Sequence, residues 1–185
     1  MNVTVFGGST PGQADYRQAE RLGSLLAQAG HSVLTGGYLG TMEAVSKGAA
    51  MGGAQVIGVT CEQIEAWRPV RANRWVGEER RFSTLRERIF GLIDGCDGAI
   101  ALPGGPGTLT EISLTWNLLL TGAISPRALI LVGSGWRDIF SHLFQEFDPY
   151  IPVSQRGWLI FVGNADEAVA RLPTSNGMHN HNQNN

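Results

Sequence analysis

The stretch Gly98-Ala99-Ile100-Ala101-Leu102-Pro103-Gly104-Gly105-Pro106-Gly107-Thr108 passes from an almost wholly apolar segment, through a turn of glycines and prolines, into a helical pattern. An apolar run of this kind fits a strand covered on both faces, as in a parallel sheet. The turn after it is built of residues that let backbone N–H groups approach a ligand without interference from Cβ. The helix that follows brings unpaired N–H groups and a partial positive charge to the same place. Together these describe a seat for one phosphate, with a tight turn and helix cap as the alternative.

Upstream the figure repeats. Residues 3–6 read as a short apolar strand ending in Gly7-Gly8-Ser9, and residues 31–35 as another ending in Gly36-Gly37. Further strands are expected over 55–59, 98–102, 128–132 and 158–162. Between them, helical spacing of apolar residues predicts helices over 14–29, 41–50, 83–92, 108–120, 136–147 and 165–172. Ser83 is the expected N-cap of the third helix in this series. Strands alternating with helices at this length predict an α/β fold: a single-domain, Rossmann-like, doubly wound parallel sheet with helices on both faces. Ligands in such sheets bind beyond the carboxyl ends of the strands, where strand order reverses. All three glycine pairs would open onto that rim.

Residues 61–82 interrupt the alternation. They hold Arg68, Arg71, Arg74, Arg80 and Arg81 with Trp67 and Trp75. Two readings stay open: a lid carrying stacking and anion contacts, or a charged loop whose tryptophans pack at a subunit interface. The expected domain spans 1–173. Residues 174–185 are polar and of low complexity, and a disordered tail is expected there.

Bulk properties exclude several classes. A length of 185 residues suits one domain, and 43% hydrophobic with 16% charged residues is a globular balance. A net charge of −2 advertises no strongly basic surface for nucleic acid or anionic membrane, which argues against extended electrostatic binding only. No run reaches the roughly 18 apolar residues of a membrane span, and the N-terminal residues lack a signal-peptide pattern. Cys61 and Cys96 form no Cys-x-x-Cys pair, so reduced thiols and a cytoplasmic location are expected. No cofactor and no metal are expected. Lys47 is the only lysine, and a pyridoxal-phosphate enzyme needs a lysine for its Schiff base; Lys47 falls inside a predicted helix, remote from the phosphate seat.

Neither a Walker loop nor a G-x-G-x-x-G fingerprint is present, so a mononucleotide or sugar phosphate suits the seat better than ATP or a dinucleotide. Glu111, three residues after Thr108, is either a capping partner or a carboxylate beside the phosphate. In the second role it can bond ribose hydroxyls or stabilise an oxocarbenium-like centre. Arg86 and Arg88 lie on different faces of their helix, so at most one aims at the cleft, while Glu87 faces solvent.

On Gly36-Gly37-Tyr38-Leu39-Gly40-Thr41-Met42-Glu43 and Pro103-Gly104-Gly105-Pro106-Gly107-Thr108-Leu109-Thr110-Glu111, with Phe6-Gly7-Gly8-Ser9, the chain resembles the LOG family, once labelled "lysine decarboxylase-like". The resemblance runs over about residues 2–172. It implies a phosphoribohydrolase that cleaves the N-glycosidic bond of nucleoside 5′-monophosphates and releases the base and ribose 5-phosphate. By it, Gly104, Gly105, Gly107 and Thr108 would hold the 5′-phosphate, Gly8, Ser9, Gly36 and Gly37 would line the nucleotide cleft, and Glu111 and Arg88 would be catalytic. A homodimer is the implied assembly, with a higher oligomer as the alternative. The family's Met-His-x-Arg-Lys segment is Leu85-Arg86-Glu87-Arg88-Ile89 here. Thr110 replaces the first of a glutamate pair, and Glu43 stands where glycine is common. The segment from Met42 to Ala49 looks more like a bacterial branch that includes molybdenum-cofactor carrier-like proteins. That likeness makes a non-catalytic carrier of a phosphorylated pterin or nucleotide the alternative function.

Overall fold

The computed structural model describes residues 1–173. The tail expected over 174–185 lies outside the described residues. In chain order the elements are β1 (Asn2–Phe6), α1 (Gln13–Gln28), β2 (Ser32–Thr35), α2 (Thr41–Met51), β3 (Val56–Cys61), α3 (Glu62–Trp67), β4 (Glu78–Phe82), α4 (Leu85–Asp94), β5 (Gly98–Ala101) and α5 (Pro106–Leu120). They continue with β6 (Leu129–Val132), α6 (Ser134–Glu146), a 3-10 turn over Asp148–Tyr150, α7 (Val153–Arg156), β7 (Leu159–Val162) and α8 (Ala165–Ala170).

All strand pairings are parallel, in the order β4-β3-β2-β1-β5-β6-β7. From β1 the chain builds outward to β4, then returns to lay β5 on the other side of β1. The reversal of strand order therefore falls between β1 and β5, where Val5 sits beside Ile100.

Alternation along the strands fills both faces. Val3, Val5, Ile130 and Val132 meet α1, α2 and α8 through Leu22, Leu26, Val45, Ala49 and Ala168. Phe6, Ala101, Leu129 and Leu131 meet α4, α5 and α6 through Leu92, Ile112, Trp116 and Phe140. Each aliphatic side chain buried completely contributes about 1.5–3 kcal/mol over its exposed state. Thr4 is a polar residue in this core, and its hydroxyl donates to the Leu92 carbonyl at 2.7 Å, which offsets the cost of burying it.

Two glycines bring α1 and α2 close together. A Cβ on Gly23 would press into the Val45 carbonyl, and one on Gly48 into the Glu20 carbonyl. The Lys47–Glu20 ion pair, 2.9 Å, spans the same crossing.

The structure corrects two expectations. Residues 78–82 form an edge strand, β4, within a segment read only as an excursion. Its residues Glu79, Arg80 and Arg81 are exposed, so charge hid the strand, although charge is how edge strands avoid unwanted pairing. The N-cap of α4 is Thr84, not Ser83. Thr84 Oγ1 accepts from the Glu87 N–H at 3.2 Å, and the Glu87 carboxylate accepts from the Thr84 N–H at 3.0 Å. This reciprocal box fixes Glu87 at the surface.

Candidate functional site

Beyond the carboxyl ends of the central strands lies a cleft of about 410 Å³. Its walls include Gly8 and Ser9 after β1, Gly36 after β2, and Gly105, Gly107 and Thr108 at the start of α5, with Arg88 and Glu111. Gly37 and Gly104 do not line it. Gly37 has φ +76° and stands against Gly58 and Thr60, while Gly104 leaves no room for a Cβ beside Thr108. These two glycines shape the loops from behind.

The loops are tied to one another. The Gly8 N–H donates to the Pro103 carbonyl at 3.2 Å, and the Gly8 carbonyl accepts from the Thr41 N–H at 3.0 Å and hydroxyl at 2.8 Å. Helix α5 begins at Pro106, whose missing N–H and fixed φ suit the first helical position. Its N-cap, Gly105, offers no side-chain cap. The N–H groups of Gly107 and Thr108 therefore have no partner within the helix and are free for an anion.

Arg88 and Glu111 form the ionic feature of the cleft. Arg88 is 7% exposed and Glu111 6%. Arg88 Nη1 donates to Glu111 Oε1 at 3.2 Å, and Nε donates to the Val59 carbonyl at 3.0 Å. Burial pushes the Glu111 carboxyl up to about 7, and the neighbouring guanidinium opposes that rise. A single long contact only partly offsets the loss of hydration. Glu111 thus spends its side chain on Arg88 and not on a cap. Gly36 belongs to the same arrangement, since a Cβ there would overlap the Arg88 guanidinium and Met42 Sδ. Arg86 is exposed, as the spacing of the two arginines required of at least one. Lys47 pairs with Glu20 away from the cleft, so it is not placed as a Schiff-base lysine.

The segment after β3 contributes more than its sequence disclosed. Ile64, Trp67 and Arg68 line the cleft, and Trp75 does not; the Arg74 guanidinium lies over the Trp75 ring at 4.7 Å. The segment is pinned at its middle by buried Asn73, whose amide nitrogen donates to the Gly37 and Tyr38 carbonyls at 3.0 Å each. Tyr38, 1% exposed, accepts from the Cys61 N–H at 2.8 Å and donates to the Cys61 carbonyl at 3.1 Å. No sequence signal marked Tyr38 or Asn73 for these tasks, because both act between segments distant in the chain.

The model of the SLOG cluster4 family matches residues 1–120. A probable cytokinin riboside 5′-monophosphate phosphoribohydrolase of Oryza sativa subsp. japonica is 33% identical over 177 residues, covering 92% of this chain and 76% of that protein. The pyrimidine/purine nucleotide 5′-monophosphate nucleosidase of Escherichia coli (strain K12) is 28% identical over 185 residues, covering 94% of this chain; the chain spans 40% of that relative's length. Among solved structures, the molybdenum cofactor binding protein of Rippkaea orientalis matches with a TM-score of 0.72 at 21% identity, covering 91% of this chain and 93% of that one. At that identity the likeness speaks for the fold alone, and it agrees with the doubly wound sheet. The match of the family model, together with the rice relative, shows that the chain belongs to the SLOG cluster4 family and is a LOG-family protein.

Proposed function

We propose that the protein is a nucleoside 5′-monophosphate phosphoribohydrolase. The observation that carries this reading is the buried Arg88–Glu111 pair in a cleft that also receives the uncapped start of α5. The 5′-phosphate would rest on the Gly107 and Thr108 N–H groups, with Gly8 and Ser9 closing the other side. Binding energy from the phosphate then orients the anomeric carbon. As the bond from C1′ to the base nitrogen breaks, positive charge develops on the ribose, and an ionised Glu111 stabilises it. Arg88 keeps N–H donors beyond those used by Val59 and Glu111, and these assist the departing base. Water supplies hydroxide to C1′ and a proton to the base, so the products are free base and ribose 5-phosphate. The names of the rice and Escherichia coli relatives support this chemistry. The same reading carries a homodimer, for which exposed Leu109, Ile139 and Phe147 on the α5 and α6 side offer apolar surface.

The direct test is a panel of AMP, GMP, CMP, UMP and isopentenyl-AMP, with free base separated and quantified. Base should appear from at least one, in equal amount with ribose 5-phosphate. Saturable binding with no base from any of them would support the second reading, a carrier of a phosphorylated pterin or nucleotide. That reading draws on the altered Leu85–Ile89 segment and on the molybdenum-cofactor-binding structural neighbour.

A further inference from the structure

Two hydrogen bonds hold the Arg88 guanidinium, and neither uses Nη2. Nε donates to the Val59 carbonyl at 3.0 Å and Nη1 to Glu111 at 3.2 Å. Among the described residues Nη2 has no hydrogen-bond partner, and it is not one of the sealed, unpartnered atoms, which are His31 Nδ1 and Arg68 Nε. Its N–H groups therefore open on the cleft and are free for a ligand.

Beside Nη2 stand a bare backbone and a thioether. A Cβ on Gly36 would lie 1.9 Å from Arg88 Nη2 and 2.5 Å from Met42 Sδ. A nitrogen and a sulfur so close to one point are in contact with each other across it. Met42 is 8% exposed and lines the cleft. As the second residue of α2 it stands on a helix start that is tied down. Thr41 gives both its N–H and its hydroxyl to the Gly8 carbonyl. Gly40, the N-cap, has φ +79° and lies so close to Ser9 and the Gly8 carbonyl that no Cβ fits. Met42 thus reaches Arg88 from a base anchored on the β1 loop that walls the cleft.

We infer that Met42 is a positioning residue for the hydrolysis: its side chain, in the space left by Gly36, holds the Arg88 guanidinium against Glu111 and keeps Nη2 open to the cleft. The inference deepens the phosphoribohydrolase reading and rests on it. Packing on the third side stops the guanidinium from swinging about its bond to Val59, as a supporting side chain does for a reacting one. Truncation of Met42 opens that side, and the longer contact, Nη1 to Glu111, is the one that yields. Leucine has nearly the same volume and keeps the packing without the sulfur. The ionisable groups lining the cleft are Tyr38, Arg68, Arg88 and Glu111. Of these, Arg88 is the one bonded to Glu111, and the Tyr38 hydroxyl is turned to the Cys61 backbone.

The test compares Met42→Ala and Met42→Leu with wild type in base release, in ribose 5-phosphate binding and in the titration of Glu111. That titration is followed by carbon-13 NMR of labelled glutamate carboxyls, with Glu111→Gln to assign the signal. Met42→Ala should lose about tenfold to a hundredfold in kcat, with KM and ribose 5-phosphate affinity nearly unchanged. With Arg88 loosened, Glu111 should titrate about one pH unit higher, and the rising limb of the pH profile should move up with it. Met42→Leu should stay near wild type in every measurement. Thermal melts check the fold, and Met42→Val takes the place of alanine if that variant does not fold. An alanine variant as active as wild type, a lost kcat with an unmoved Glu111 titration, an equal loss of ribose 5-phosphate binding, or a leucine variant no better than alanine would each overturn the inference. If wild type releases base from no monophosphate, the hydrolase reading fails, and the carboxyl titration still decides whether Met42 holds Arg88 on Glu111. An upward shift with alanine but not leucine supports that hold, and no shift overturns it.

Discussion

Glu111→Gln is expected to lower base release by about a hundredfold to a thousandfold while nucleotide binding stays nearly intact. Glutamine keeps the shape of the side chain and can still accept from Arg88, so the cleft retains its walls. What it cannot supply is negative charge for the developing oxocarbenium ion. The pH profile makes the prediction more specific. With Glu111 held up to about 7 by burial, the fraction ionised rises across neutral pH. Wild-type turnover should therefore climb as pH increases through about 7 and level off above it. The glutamine variant should lose that limb.

Stability should run the opposite way. The folded state holds the proton up to about 7 while the unfolded chain releases it near 4.5, so between those values the folded state binds more protons. The favourable contribution is complete below 4.5 and is lost as pH rises through about 7. Its size is up to about 3 kcal/mol. Thermal melts of wild type and variant across pH 4.5 to 7 should differ in slope for this reason. Undiminished base release by Glu111→Gln would remove the carboxylate from the mechanism.

The second large effect concerns the scaffold. Gly48→Ala should destabilise the protein by about 3 kcal/mol, a fall of roughly 6–12 °C in Tm for a chain of this size. The new methyl group would press on the Glu20 carbonyl and lie 2.9 Å from the Ser24 nitrogen. Those are backbone atoms of a facing helix, which cannot rotate away as a flexible side chain would. Gly135→Ala in α6 is the control, since a Cβ there meets nothing within 4 Å. Alanine in that helix should be neutral or raise stability by up to about 1 kcal/mol. Equal melting of the two variants would show that α1 and α2 can separate at little cost.

Much of this fold is legible in the sequence. Glycine pairs at three strand ends pointed to the rim on which the cleft opens, since strand, turn and helix signals there agree over a few residues, although Gly37 and Gly104 stand behind it. Glu111 could be singled out as a carboxylate just inside a helix that follows a glycine turn, whereas the spacing left Arg86 and Arg88 open and the resemblance to the LOG family named Arg88. Other features were closed to such reading. Strand β4 carries Glu-Glu-Arg-Arg, a pattern that looks like surface loop until a partner strand is seen beside it. Gly48 looks like a mild weakness in α2, and only the approach of α1 shows that nothing larger fits. Trp67 and Arg68 stood between two interpretations because a loop's own residues do not say which way it folds over a sheet.

The pinning of residues 68–77 by Asn73, with Tyr38 locked onto Cys61, bears on how fast a ligand is captured. A flap that had to swing shut would add a slow, concentration-independent phase after encounter. Here the loop after α3 is already held to the β2 turn by hydrogen bonds before anything arrives. Stopped-flow traces should then be single exponentials whose rate rises linearly with nucleotide concentration, and discrimination between bases should reside in how long each one stays.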